Sequence, residues 1–213
     1  MAWSQVSAEW DALVRDYPVL GVVPARIRAA ARVRTFACGE VLYRQGERPR
    51  CMLYVLDGEI RLLRRLAAGD EIVLQRSRSG FIAEASLDAA AYHCDVVAAG
   101  TGRLLAFPLA AFRHALEHEP RFNRAWIEQL ARELRRVRAQ SERLSLNGAA
   151  ERIVHFIESE GVNGVVTLTQ TRKALAAELG LTHETLYRTL RTMRANGTLL
   201  VDGSRLVLVG KSP

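Results

Sequence analysis

Glu184, Tyr187, Arg188 and Arg191 fall at i, i+3, i+4 and i+7, so a helix carrying them lifts all four onto one face. Such a set suits hydrogen bonding to base edges. A carboxylate accepts from a cytosine amino group, and a guanidinium makes two bonds to a guanine edge. The opposite face carries Leu186, Leu190 and Met193 at i, i+4 and i+7, an inward stripe. Thr182 is a good N-cap for this helix, and Gly180 a cheap left-handed C-cap for a preceding one. The preceding helix puts Leu175 and Leu179 on one face, with small Ala176 where the second helix must cross closely. Thr171 and Arg172 stand at its start, where a helix end meets phosphates. The plain alternative is a helical hairpin with a solvated charged face. Cap, glycine, small residue and apolar spacing agree instead on a helix-turn-helix that enters a groove of double-stranded DNA. The expected contacts are Thr171, Arg172, Thr182, His183, Glu184, Tyr187, Arg188 and Arg191. Arg188 is expected on guanine, with Glu184 accepting from cytosine and bracing Arg188.

His93, Cys94 and Asp95 invite a different chemistry. A Cys–His nucleophile needs both side chains to meet. Neighbours on a strand point to opposite faces, so an extended Tyr92–Ala98 keeps His93 and Cys94 apart. No catalytic residue is assigned, and the chain is not expected to be an enzyme. Cys94 as a redox-sensing thiol, His93 or Cys94 as a metal or haem ligand, and an inert buried cysteine stay open. Cys38, Cys51 and Cys94 are too far apart for a zinc ribbon or a CxxC redox pair, so no metal site is assigned.

The 213 residues suit one large or two small domains, and 49% hydrophobic content supports packed cores. A net charge of +7 favours a polyanion, weakly, because arginine is spread along the whole chain. Sparse, odd cysteines fit a reducing cytoplasm. The start, MAWSQVSAEW, lacks the basic then apolar texture of a signal peptide. No apolar run approaches the roughly 20 residues of a membrane helix, so no membrane partner is expected.

The elements that must position these residues follow in order. Ser4–Arg15 and Ala25–Val33 read as short helices. Gly39, Gly46, Gly58, Gly69 and Gly80 then punctuate short strand-like runs at 41–43, 51–56, 59–66 and 71–76. Asp57-Gly58 reads as a hairpin turn. With Tyr92–Ala98 and Arg103–Phe107, the segment Arg34–Pro108 reads as an antiparallel sandwich, barrel or jelly roll. Leu109–His118 is a short helix, and Pro120 opens a long one reaching about Leu144. Along it Ile127, Leu130, Leu134, Val137, Ser141 and Leu144 alternate spacings of three and four, a heptad seam for a parallel homodimer. The alternative is one helix lying on its own domain. Trp126, beside the seam, is placed to pack onto the β domain. Ser145–Gly148 reads as a hinge. Ala149–Ser159 is a helix turning Ile153, Phe156 and Ile157 inward, and Val165–Leu168 a strand. Asp202-Gly203 within TLLVDGSRLVLV makes a two-stranded wing. The expectation is an α+β chain with a β-roll domain at 1–118, a dimerisation helix and hinge at 119–146, and a winged helix-turn-helix at 147–213.

This order of parts resembles the Crp/Fnr superfamily of bacterial transcription regulators over nearly the whole length. The most specific piece is Thr171-Arg172 with Gly180-Leu-Thr-His-Glu-Thr-Leu-Tyr-Arg188. The resemblance implies that Glu184 and Arg188 read bases and that His183 tunes the half-site. It implies a homodimer on palindromic DNA, RNA polymerase as a partner, and a small effector in a cyclic-nucleotide-binding-like roll. In the cyclic-AMP receptors the corresponding segment has a Gly-Glu and an Arg-Ser pair. Here FIAEASLDAAAYHCDVVA, residues 81–98, keeps Glu84 but has Ala83 in place of glycine, and His93 and Cys94 in place of Arg and Ser. Losing that arginine removes the charged fork for a phosphate. The pocket expected from the resemblance comprises Ala83, Glu84, Ala85, Ser86, His93 and Cys94, with Val137 and Arg138 on the long helix. Cyclic AMP is therefore not the expected effector. The family's iron–sulfur branch uses an N-terminal cysteine cluster, and no cysteine precedes Cys38. An effector-independent or a redox- or metal-responsive regulator of the same fold is the alternative.

Overall fold

The computed structural model describes residues 3–6, 10–65, 71–168 and 170–210. The chain forms two compact units, Met1–Leu130 and Ala131–Pro213.

The first unit is a β-roll with helices. Its strands are β1 (Ser4–Gln5), β2 (Arg32–Phe36), β3 (Val41–Tyr43), β4 (Cys51–Asp57), β5 (Ile60–Arg65), β6 (Glu71–Ser77), β7 (Gly80–Ile82), β8 (Asp95–Ala98) and β9 (Gly102–Pro108). One antiparallel sheet has the order β1-β2-β9-β4-β7 and the other β3-β8-β5-β6. Strand β4 reads as a continuous apolar run because both of its faces are buried. Leu53 and Val55 point between the sheets, while Met52, Tyr54 and Leu56 face a second core under the helices. Strand β9 repeats the alternation with Leu104 and Ala106 against Leu105 and Phe107. The helical layer holds α1 (Trp10–Asp16), α2 (Ala25–Ala30), α3 (Leu109–His118) and the start of α4 (Pro120–Ser145). Trp126 packs on the roll as expected, its ring 5.1 Å from Phe81 and 5.0 Å from Phe112, both edge-on.

Several local expectations change. Asp57-Gly58 is not a hairpin turn, because β4 and β5 belong to different sheets. Gly58 turns the corner with φ +86°, and a Cβ there would meet the Thr101 carbonyl at 2.5 Å. Helix α2 stops at Ala30, since Arg32–Phe36 pairs with Gly102–Ala106 instead. Ser4 and Gln5 pair with Val33 and Arg32 rather than opening a helix. Strand β8 begins only at Asp95. Tyr92 instead exchanges backbone bonds with Gly46 and Glu47 at 2.9 and 2.8 Å. Leu66 and Gly69, placed by sequence in and after the third strand-like run, lie outside the described residues.

The second unit holds the rest of α4, then α5 (Ala149–Glu160), β10 (Val165–Thr167), α6 (Arg172–Glu178), α7 (His183–Ala195), β11 (Leu199–Asp202) and β12 (Arg205–Leu208). The wing is three-stranded, in the order β10-β12-β11, because β10 adds to the Asp202-Gly203 hairpin. Its core joins Ile153, Phe156 and Ile157 of α5 to Leu175 and Leu179 of the α6 segment and Leu186, Leu190 and Met193 of α7. The fold is α+β: an N-terminal β-roll, a long helix and a winged helix-turn-helix. Among the described residues no helix is long and apolar enough to cross a membrane.

Candidate nucleic-acid interface

Two threonine caps set the helix-turn-helix. Thr171 Oγ1 accepts from the Ala174 amide at 3.2 Å, and Thr182 Oγ1 from the Thr185 amide at 3.1 Å. Gly180, with φ +62°, turns between them. Helix α7 then buries Leu186, Leu190 and Met193 and leaves His183, Glu184, Tyr187, Arg188 and Arg191 exposed. These five residues, with Thr182, thus share its outer face and N-terminal end. Glu184, Arg188 and Arg191 all stand exposed on that face. The His183 and Tyr187 rings pack beside them at a tilt of 52°, with centroids 4.5 Å apart. Arg172 is half-buried, and its Nη2 donates to the Gly203 carbonyl at 3.0 Å, tying the start of α6 to the wing turn.

The long helix exposes its seam within each unit. In the first unit Ile127 is 59% exposed, and in the second Val137 is 61%. Leu130, Leu134, Ser141 and Leu144 are exposed as well. Within the first unit, Trp126 packs into the roll's core while Ile127 beside it faces outward.

In the roll, Ala83 has φ +60°, a left-handed conformation that glycine takes more readily. Ala83, Ser86 and Cys94 are buried, Glu84 and His93 half-buried, and Ala85 exposed. Ser86 Oγ and His93 Nδ1 lie 3.4 Å apart. Cys94 faces the inter-sheet core while His93 stands toward the surface, so the two do not pair. Burial raises the Cys94 thiol above its ordinary value. Tyr43 and Tyr92 pack 4.8 Å apart in the same core, and burial pushes the Tyr43 phenol up to about 12. Val137 and Arg138 belong to the second unit, on the exposed part of α4. Among the described residues no group of three or more His, Cys, Asp or Glu comes together as a metal site.

Sequence reading missed two arginines that shape the second unit. Arg143 is fully buried, and Arg152 donates to four carbonyls. A charged residue on the inner side of the otherwise apolar α5 pattern was the available signal for Arg152.

The architecture, a β-roll with a winged helix-turn-helix, is that of a transcription regulator. A family profile described as Cyclic nucleotide-binding domain matches residues 33–119, and one described as Crp-like helix-turn-helix domain matches residues 128–210. The nitrogen fixation regulation protein FixK of Bradyrhizobium diazoefficiens is 25% identical over 174 residues, which is 78% of this chain and 73% of that protein. The structure of FixK2 from Bradyrhizobium japonicum superposes with a TM-score of 0.64 at 21% identity, covering 84% of this chain and 93% of the other. CLP of Xanthomonas campestris, described as a c-di-GMP-responsive global regulator, gives 0.61 at 21% identity, covering 90% and 99%. The chain belongs to the Crp/Fnr superfamily of transcription regulators. That fold is a transcription-factor architecture rather than a catalytic one.

Proposed function

We propose that the chain binds palindromic DNA as a parallel homodimer joined along the α4 seam, with Arg188 on guanine and Glu184 on cytosine. The division into a roll at 1–118, a dimerisation helix and hinge at 119–146 and a DNA-binding part at 147–213 belongs to the same reading. The observation that carries it is α7, the second of two threonine-capped helices: its apolar residues turn inward and Glu184, Arg188 and Arg191 stand exposed on its outer face. The exposed apolar stripe on α4 supports the dimer, because a monomer gains nothing from leaving it in water. Thr171 and Arg172 lie toward phosphates, with Arg172 held there by the wing. RNA polymerase is the partner that this class of regulator implies. A genome-wide binding map, with and without small-molecule extracts, tests the reading. It predicts a palindromic motif whose occupancy responds to the extract.

The effector is not cyclic AMP in this reading. Residues 81–98 contain no arginine to face a cyclic phosphate, and the two positions in question are a buried thiol and a histidine beside Ser86. The residues present do not fit that group. No iron–sulfur cluster is proposed. A second reading, regulation without a ligand, is favoured by the packing of Tyr43, Tyr92 and Cys94 into the inter-sheet core. An extract that leaves every binding site unchanged supports the second reading over the first.

A further inference from the structure

The last turn of α4 is fastened to the helix-turn-helix at three points. The first is Arg152, near the start of α5. Its Nε donates to the Leu146 carbonyl at 2.8 Å and its Nη2 to the Leu144 carbonyl at 3.3 Å. Its Nη1 donates to the carbonyls of Leu179 and Gly180 at 3.0 and 3.2 Å. These four acceptors stand at the C-terminal ends of α4 and α6. Carbonyls there lack intrahelical partners and carry the negative end of the helix dipole. One planar guanidinium therefore serves two helix ends at once. A lysine, with one ammonium on a flexible stem, cannot span them in that way.

The second point is Arg143, fully buried in the last turn of α4. Its Nη2 lies 3.2 Å from Glu160 at the end of α5, and its Nη1 3.7 Å from Glu178 at the end of α6. Its guanidinium also sits 5.0 Å from the centroid of the Phe156 ring. A buried charge held by two carboxylates resists separation, because parting them strands it in a poor solvent. The third point is steric. A Cβ on Gly180 would lie 2.8 Å from Leu144 Cδ2, so the last seam residue already touches the turn before α7.

The sequence around Ser145–Gly148 reads as a hinge, yet both sides of it are held together. We propose that Arg152, supported by Arg143, is a positioning residue that locks the recognition helix to the end of the dimer helix. It thereby fixes the one half-site spacing that the dimer accepts. This rests on the dimeric, palindrome-binding reading above. Shifting a half-site by one base pair displaces it about 3.4 Å along the duplex and turns it by roughly a tenth of a revolution. A locked joint refuses that change, whereas a loosened joint follows it.

The test is an in vitro selection with the full chain on a library of palindromes whose half-sites are separated by spacers of varied length. Sedimentation of each variant runs alongside. Wild type should return one spacing. Arg152→Ala should stay dimeric and keep the half-site sequence. It should bind the preferred spacing roughly tenfold more weakly and accept neighbouring spacings almost equally. Arg152→Lys should behave like Arg152→Ala, which keeps the test decisive should the alanine variant fail to fold. A variant weakened by one common factor at every spacing, with the preference unchanged, assigns Arg152 to stability alone and overturns the inference. A wild-type chain that selects no spaced palindrome overturns the dimeric reading itself, and the inference with it.

Discussion

The His183 and Tyr187 rings meet at 4.5 Å on the exposed face of α7, one turn apart, with Glu184 and Arg188 exposed beside them. Ring packing at i and i+4 holds both side chains in defined rotamers before any DNA arrives, which lowers the entropy lost on binding. Tyr187→Ala should therefore weaken DNA binding several-fold. It should also relax base preference where His183 reaches, without moving the preference set by Arg188. A selection on Tyr187→Ala checks this, and an unchanged motif at unchanged affinity contradicts it.

The α4 seam predicts that Leu130→Glu with Leu134→Glu yields a monomer. Four like charges then face one another across the two-fold axis with no partners. DNA affinity should fall with the loss of the second half-site. Sedimentation that shows an intact dimer in the double variant contradicts the heptad assignment.

Effector choice should exclude cyclic AMP. Titration calorimetry should show no heat of binding at micromolar concentrations. A clear micromolar isotherm means that the segment 81–98 has been misread.

The three thiols should separate by reactivity. Cys38 is exposed, Cys51 half-buried, and Cys94 only 1% exposed. Burial also raises the Cys51 and Cys94 thiols, so little thiolate exists at neutral pH. Cys38 should react first with a chromogenic disulfide, and Cys94 only on unfolding. Rapid labelling of Cys94 in the native protein revives the redox-sensor reading. The same core predicts an alkaline limit to stability. The phenols of Tyr43 and Tyr92 are raised in the fold, so the unfolded chain loses their protons first. Stability should be fully present below about pH 10 and fall as pH rises toward 12. Denaturant titrations across that window should show the loss, and Tyr43→Phe should flatten it.

Much of this architecture was legible because its periods are strong. The strands at 41–43 and 51–57 and the helices at 109–118 and 120–145 end within a residue or two of their apolar patterns. Strand β7 was missed because Gly80–Ile82 runs into a left-handed Ala83, which marks no turn in the sequence, whereas the equally short β3 is bracketed by Gly39 and Gly46. Asp57-Gly58 misled because a hairpin turn and a sheet-to-sheet corner need the same left-handed glycine. The outer face of α7 followed from spacing, since exposure on a helix is set by its period. What Arg172, Arg143 and Arg152 bind did not follow, because their partners are backbone carbonyls or distant carboxylates that no local pattern encodes. Arg172 illustrates this: its bond to the Gly203 carbonyl across the wing spans 31 residues of sequence.

The central claim is that α7 reads DNA through Arg188, and a binding-site selection comparing wild type with Arg188→Ala tests it most directly. Removing a two-bond contact to guanine should cost about 1–3 kcal/mol and relax preference at one base pair in each half-site, leaving the others intact. A motif and affinity unchanged from wild type would show that this helix does not read the DNA.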